Sequence, residues 1–449
     1  MNGSLIKFFS LLLLLGLLAG ACTSPGAGDR AARERTPFTR APLGGALPSL
    51  PSAVERQVPS LEDLFGRFQE EEIRIALLLP LSGPGESTGK AFLDAAAMAL
   101  FEAYDPRLQL FPYDTGGTPE GARRAAREAV GNDPDIVIGP LFAASIAAAA
   151  PIVRAGGLNM IGFSNNREVA GNGVYLLSFL PSQEVERVIA YAAAQGHDQF
   201  AALIPDSPYG AAALEGFSRS VFLSGKAITG LEIYERDTQT VFDPVRRLAN
   251  YDQRRDAYLD EERFLEALGD DDLAKEILKK LEPFETLGEP PFSAVLVPEG
   301  GQFLRSLVPL LPFFEVDPLK VQFLGTGLWY DPTLPGEPTL EGAWFAGPDP
   351  AKVDDFMARF EGLYGYRPPR IVTLSYDAIS LVATLARIEF KRARFSGKTL
   401  QNANGFEGLD GIFRFRGDGT SERRFAILEI RRQGFFVVSP APSSFQDVP

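Results

Sequence analysis

Cysteine and histidine are nearly absent from this sequence: Cys22 and His197 are the single examples among 449 residues. One of each cannot build a Cys/His zinc site, an intramolecular disulfide or a Cys–His catalytic pair, so neither a metal site nor a cofactor is expected, although carboxylate-only sites stay open. Positive charge is also in deficit, with 44 Lys and Arg against 58 Asp and Glu and a formal net charge of −14. That balance repels phosphate backbones, and with no local basic patch the sequence does not point to nucleic acid as a partner. What is present is ample apolar material, 45% of the chain. At this length it is enough for two or three domains with proper cores.

The N-terminus carries Lys7 and then the run FFSLLLLLGLLAGA, which ends at Cys22. Its uninterrupted core has the length of an export signal and falls short of the roughly 20 residues needed to span a bilayer. Ala19, Gly20 and Ala21 directly before Cys22 resemble the lipobox of bacterial lipoproteins, in which the cysteine is lipidated and becomes the first residue. Leu18 stands one step further back than the usual lipobox leucine. The alternative is an ordinary secretory leader cleaved near Ala21. On the lipobox reading residues 1–21 are a signal peptide, Cys22 is a lipid anchor, and Thr23 after it points to the outer membrane. Residues 22–72 are rich in Pro, Gly, Ala and Arg and read as a flexible tether, with a short amphipathic helix over 60–72.

From Ile73 onward short apolar runs alternate with helical spacing. IRIALLLP is followed by AFLDAAAMALFEAY, LQLFPYDT by GARRAAREAV, and DIVIGPL by SIAAAAPIVRAG. Strands that are continuous in apolar residues and separated by helices indicate α/β architecture with parallel, doubly covered sheets. The pattern repeats through AVLVPE, VQFLGTG and GAWFAG, with helices expected over 350–364 and 371–390. The tail, GIFRFRGDG and RFAILEIRRQGFFVV, alternates as an antiparallel hairpin would. Residues 244–282 break the βα rhythm and read as an inserted helical hairpin with Asp270–Asp272 as a capping cluster. It is either an extension of the outer layer or a docking arm for a partner.

No catalytic constellation survives inspection. GPGESTGK (83–90) lies where a phosphate loop would, but Pro84 replaces the first glycine and Ala91 follows Lys90. It still leaves backbone N–H groups at a helix start. GFSNN (162–166) is not a nucleophile elbow, and His197 reads as a surface-loop residue. What recurs is polar residues at the carboxyl ends of expected strands: Ser82, Ser145, Ser164, Asn165 and Asn166, Asp206 and Tyr209, Glu299, Thr326 and Trp329. Open α/β sheets bind ligands there.

LLLPLSGPGESTGKAFLDAAAMAL, VIGPLFAASIAAAAPIV, MIGFSN, LIPDSPYGAAALEGF, VPEGGQFLRSLVPLL and FLGTGLW, in this order, resemble the type I periplasmic binding proteins of the leucine-binding class. Within it they are most similar to the penicillin-binding protein activator lipoproteins. The resemblance implies two doubly wound α/β lobes: a first of 73–182 and 350–408, and a second of 183–346 and 409–449. Crossovers are expected near 180–184, 343–349 and 405–411. It implies that a ligand carboxylate is held near Ala143–Ser145 and Ser164–Asn166, and that Tyr209 faces it. Thr88 and Leu296 stand where amino-acid binders have aromatic residues, and Gly327 stands where they have the acid that faces the ligand ammonium. A buried ammonium without a carboxylate is costly. Two non-enzymatic functions therefore compete. One is a lipoprotein that regulates a periplasmic peptidoglycan synthase by contact, and the other is a receptor handing an amino-acid-like solute to an ABC permease.

Overall fold

The computed structural model describes residues 72–446. Cys22, the leader and the tether, with all of the expected 60–72 helix except Glu72, lie outside the described residues.

The first sheet is five-stranded and parallel, in the order β2-β1-β3-β4-β5. Its strands are β1 (Ile73–Leu79), β2 (Leu108–Asp114), β3 (Ile136–Ile138), β4 (Met160–Gly162) and β5 (Val174–Leu176). β1 is apolar at all but one position and almost wholly buried, as a central strand covered on both faces must be. Helix α1 (Glu86–Ala103) presents Ala91, Ala95, Ala96 and Ala99 to the core. Helix α2 (Pro119–Gly131) starts sharply because Pro119 suits the first turn and the Thr118 hydroxyl accepts the Gly121 N–H at 3.1 Å. Helix α3 (Ala143–Ala155) follows β3.

The chain crosses to the second lobe through α4 (Pro181–Ala194). There the sheet is seven-stranded, ordered β14-β13-β10-β9-β8-β6-β7. Strands β6 (Gln199–Pro205), β7 (Ala227–Tyr234), β8 (Ala294–Leu296), β9 (Gln322–Gly325) and β10 (Trp344–Gly347) are parallel. Helix α5 (Pro208–Leu223) follows β6, and its start is capped by the Ser207 hydroxyl. The inserted segment is helical: α6 (Phe242–Leu248), α7 (Tyr251–Ala267) and α8 (Asp272–Leu281). The break falls at Gly269, and Asp271 is the acid that caps α8, accepting from Leu273 and Ala274 at 2.8 and 3.1 Å. Buried Arg254 anchors the insertion by donating to the Gly288 and Ala249 carbonyls at 3.0 and 3.3 Å. A seven-residue helix, α9 (Gly301–Leu307), follows β8.

After β10 the chain returns to the first lobe, where α10 (Pro350–Tyr364) and α11 (Thr373–Leu385) complete its outer layer. The expected 371–390 helix is shorter, because a single tight turn at Arg370–Val372 precedes it and the helix ends at Leu385. The tail makes two antiparallel pairs rather than one. β11 (Phe413–Phe415) and β12 (Ser421–Arg423) fold around the Gly417-Asp418-Gly419 turn, and β13 (Ala426–Arg431) and β14 (Gly434–Ser439) extend the second sheet. The third crossover consequently lies at 424–425 and not near 405–411. Phe413 and Phe415 belong to the first lobe's core, with the Phe415 ring 5.3 Å from that of Tyr175, and Thr420 bridges to Leu176. Residues 409–423 therefore pack on the first lobe, although the sequence placed them in the second. Among the described residues no helix is long and apolar enough to cross a membrane.

Candidate functional site

Between the lobes lies a cavity of about 850 Å³. The segments after β3 and β4 supply Leu141–Ala143 and Phe163–Asn165, and the start of α1 adds Thr88. From the other side come Tyr209 at the start of α5 and Gly327, Leu328 and Tyr330 after β9. Ser178, Phe179 and Glu184 lie along the first crossover, and Arg370 stands before α11. The wall is mainly apolar and aromatic, with few polar groups, as in small-molecule sites.

One end is rich in unpaired donors. The first hydrogen bond of α3 runs from Ile146 N to Phe142 O at 2.9 Å, so the N–H groups of Ala143 to Ser145 have no partner in the helix. Phe142 at the cap position contributes no side-chain acceptor. The Ser164 hydroxyl accepts the Asn166 N–H at 3.1 Å and keeps its own O–H to give. Ser178, only 3% exposed, lines the cavity with an Oγ that has no hydrogen-bond partner. Helix-terminal amides with nearby hydroxyls suit a carboxylate.

The other end is ionic. Arg370 Nε donates to Asp410 Oδ1 at 2.9 Å, its Nη1 donates to the Gly327 carbonyl at 3.2 Å, and the guanidinium lies 4.2 Å from the Phe179 ring centre. Glu184 sits 3.8 Å from Arg370 Nη1, and its Oε2 accepts the Gly327 N–H at 3.1 Å. Burial pushes the Glu184 carboxyl up to about 7, against the downward pull of Arg370 and the Gly327 amide. Tyr209 shares a 2.7 Å hydrogen bond with the Thr326 hydroxyl, and burial drives its phenol well above the usual range.

The expected residues divide accordingly. Ala143, Ser164, Asn165 and Tyr209 line the cavity. Thr326 stands behind Tyr209. Ser145 lies in the first turn of α3, is 1% exposed, and is not part of the lining. Ser82 is exposed and donates to Asp114 at 2.5 Å. Asn166 caps the short turn at Arg167–Val169 by accepting the Glu168 N–H, and Asp206 is exposed away from the lining. Glu299 is taken up by Arg236 at 3.0 Å and Tyr234 at 2.9 Å, beside a smaller recess of about 410 Å³. Trp329 is core, its Nε1 donating to the Glu299 carbonyl at 3.0 Å. His197 packs edge-on against Trp344. Among the described residues no group of three or more His, Cys, Asp or Glu side chains is arranged to hold a metal ion.

Sequence reasoning missed Glu184, Arg370, Ser178 and the aromatic walls Phe142, Phe179 and Tyr330. For Glu184 a signal existed: it occupies the buried stripe of α4 with Val185 and Val188, and an acid on an apolar face is an anomaly. A carboxylate does lie beside Gly327, but it comes from Glu184 elsewhere in the chain and accepts the Gly327 N–H.

Comparison with known proteins agrees with this architecture. A crystal structure of a Rhodospirillum rubrum protein, assigned to branched-chain amino acid ABC transport, is 17% identical, covers 82% of this chain and all of its own, and superposes with a TM-score of 0.62. An ABC transporter substrate-binding protein of Desulfitobacterium hafniense in complex with Leu gives 18% identity, 82% and 100% coverage and 0.54. A solute-binding protein of an ABC transporter from Rhodopseudomonas palustris BisB5, in complex with 3,4-dihydroxybenzoic acid, gives 18%, 83% and 97%, and 0.52. At these identities they show a shared fold, that of the type I periplasmic binding proteins. An uncharacterized protein of Rickettsia prowazekii (strain Madrid E) is 25% identical over 182 residues, 40% of this chain, and the chain spans about half the length of that curated relative. The family model described as periplasmic binding protein matches residues 72–434, and the chain belongs to that family.

Proposed function

We propose that the protein is a non-enzymatic periplasmic receptor that closes on a small carboxylate-bearing solute and presents it to an ABC permease. The observation that carries this reading is the set of unpaired donors at the start of α3, with the Ser164 and Ser178 hydroxyls, in an interlobe cavity whose wall is mainly apolar. The ligands named for the Desulfitobacterium and Rhodopseudomonas proteins, leucine and dihydroxybenzoic acid, share a carboxylate on an apolar body. Lipid attachment at Cys22 and retention at the outer membrane are part of the proposal and rest on the leader sequence alone. Titration calorimetry with leucine, phenylalanine and their deaminated counterparts tests the reading: at least one binds, and Ser164→Ala and Tyr209→Ala each weaken it tenfold or more. Binding of none of them would overturn it.

A second reading, regulation of a peptidoglycan synthase by direct contact, is favoured by one feature. The inserted hairpin exposes Phe264 (59%), Leu268 (47%) and Leu273 (65%), large apolar side chains beyond what folding of the lobe uses. A pull-down of bifunctional penicillin-binding proteins that Phe264→Asp with Leu273→Asp abolishes would support it.

A further inference from the structure

We infer that Arg370 is the protein's own occupant of the cation position in this cavity, so that the solute it takes is a carboxylate with an apolar body and no α-ammonium. The inference rests on the carboxylate-receptor reading above and narrows it.

Three observations converge. The guanidinium is held in place by Asp410, by the Gly327 carbonyl and by the face of Phe179, and Asp410 is itself fixed by the Thr373 hydroxyl at 2.5 Å. Such a multiply bonded, stacked guanidinium gives up its place only at large cost. Next, the space around Gly327 is full. A single methyl added there would collide with Arg370 Nη1 and with Glu184 Oε1, so an ammonium with its hydrogens finds no room beside the Glu184 carboxylate. Finally, Glu184 already has neighbours of its own: Oε2 accepts the Gly327 N–H at 3.1 Å, Oε1 lies 3.8 Å from Arg370, and the residue is 3% exposed. An incoming ammonium would meet the guanidinium as a like charge in a medium that screens poorly. Unmet hydrogen-bonding capacity remains at the first amides of α3 and at the hydroxyls of Ser164 and Ser178. Phe142, Phe163, Leu328 and Leu374 also line the cavity and ask for an apolar body.

The test is titration of the full chain at pH 7 with two matched pairs, leucine against 4-methylpentanoate and phenylalanine against 3-phenylpropanoate. The members of each pair differ in the α-amino group. The deaminated acid is expected to bind at least tenfold more tightly in at least one pair. Arg370→Gln, which empties the cation position while leaving Glu184 and Asp410, is expected to shrink that preference tenfold or reverse it. Should that variant fail to fold, Glu184→Gln serves: removal of the carboxylate is expected to tighten acid binding severalfold at pH 8, and weakening by tenfold would overturn the inference. An amino acid that binds as tightly as its deaminated partner, or more tightly, in every pair that binds also overturns it, while leaving the receptor reading intact. Binding by neither member of either pair overturns the receptor reading and this inference with it.

Discussion

Two arginines lie over the ring of Phe179, and they are paired in opposite ways. Arg423 belongs to a closed arrangement. Its side chain is fully buried, both terminal nitrogens lie 3.0 Å from Asp377 Oδ2, and Asp377 also accepts the Leu409 N–H at 2.8 Å. It fastens β12 to α11 within the first lobe, and neither partner lines the cavity. Arg370 is 15% exposed and faces the cavity, and its contacts are divided between Asp410 in its own lobe and Gly327 and Glu184 in the other. Burial and ion pairing are common to both. What distinguishes the arginine of the cleft is that it faces the cavity and that its partners come from two lobes; burial raises the paired acid in both cases, Glu184 to about 7 and Asp377 to about 6.

The sharpest way to break this comparison is to remove the closed pair. Asp377→Ala leaves Arg423 buried without a counter-charge and is expected to cost about 3–5 kcal/mol in urea unfolding. A loss below about 1 kcal/mol, within the range of an exposed pair, would show that the two arginines are not different in kind. Gly327→Ala comes next. The added methyl forces Arg370 and Glu184 aside, so overpacking of about 1–3 kcal/mol is expected together with at least a tenfold loss of solute affinity.

A pH titration sharpens the contrast from the other side. Glu184 faces Arg370, Asp410, Arg423 and Tyr209, and burial raises its carboxyl from 4.5 to about 7. Its ionised form is the costly one in the folded chain. The stability it contributes is therefore fully present below pH 4.5 and lost as pH rises through 7. The same charge opposes a bound carboxylate, so affinity for 4-methylpentanoate is expected to rise roughly tenfold from pH 8 to pH 6 and to become flat in Glu184→Gln, a span in keeping with single-group linkage. The smallest effect belongs to the rim. Arg167 and Glu215 meet across the lobes at 3.4 Å but are about half exposed, and Arg167→Ala is expected to change unfolding free energy by less than about 0.5 kcal/mol.

Much of the architecture was legible in the chain because it rests on local periodicity. IRIALLL reads as a doubly covered strand, GARRAAREAV as a helix, and Asp270–Asp272 as the capping cluster inside the insertion. The third crossover was misplaced because alternation in GIFRFRGDG announces a hairpin without saying which sheet it joins. That depended on whether Phe413 and Phe415 found Tyr175 or the second lobe's core. The site was legible in half. Strand-end position brought out Ser164, Asn165 and Tyr209, and the family resemblance Ala143, but the strand-end criterion also selected Trp329, which is core, and Glu299, which is occupied by Arg236.

The sequence by itself determined the α/β alternation and the order of its elements, since each follows from residues near one another in the chain. Only the tertiary structure decided the ionic end. Glu184 meets Gly327 across 143 positions, and Arg370 reaches Gly327 across 43 and Asp410 across 40. Whether a charged side chain is solvated, paired or poised depends on what distant segments leave around it, and no local pattern encodes that surrounding.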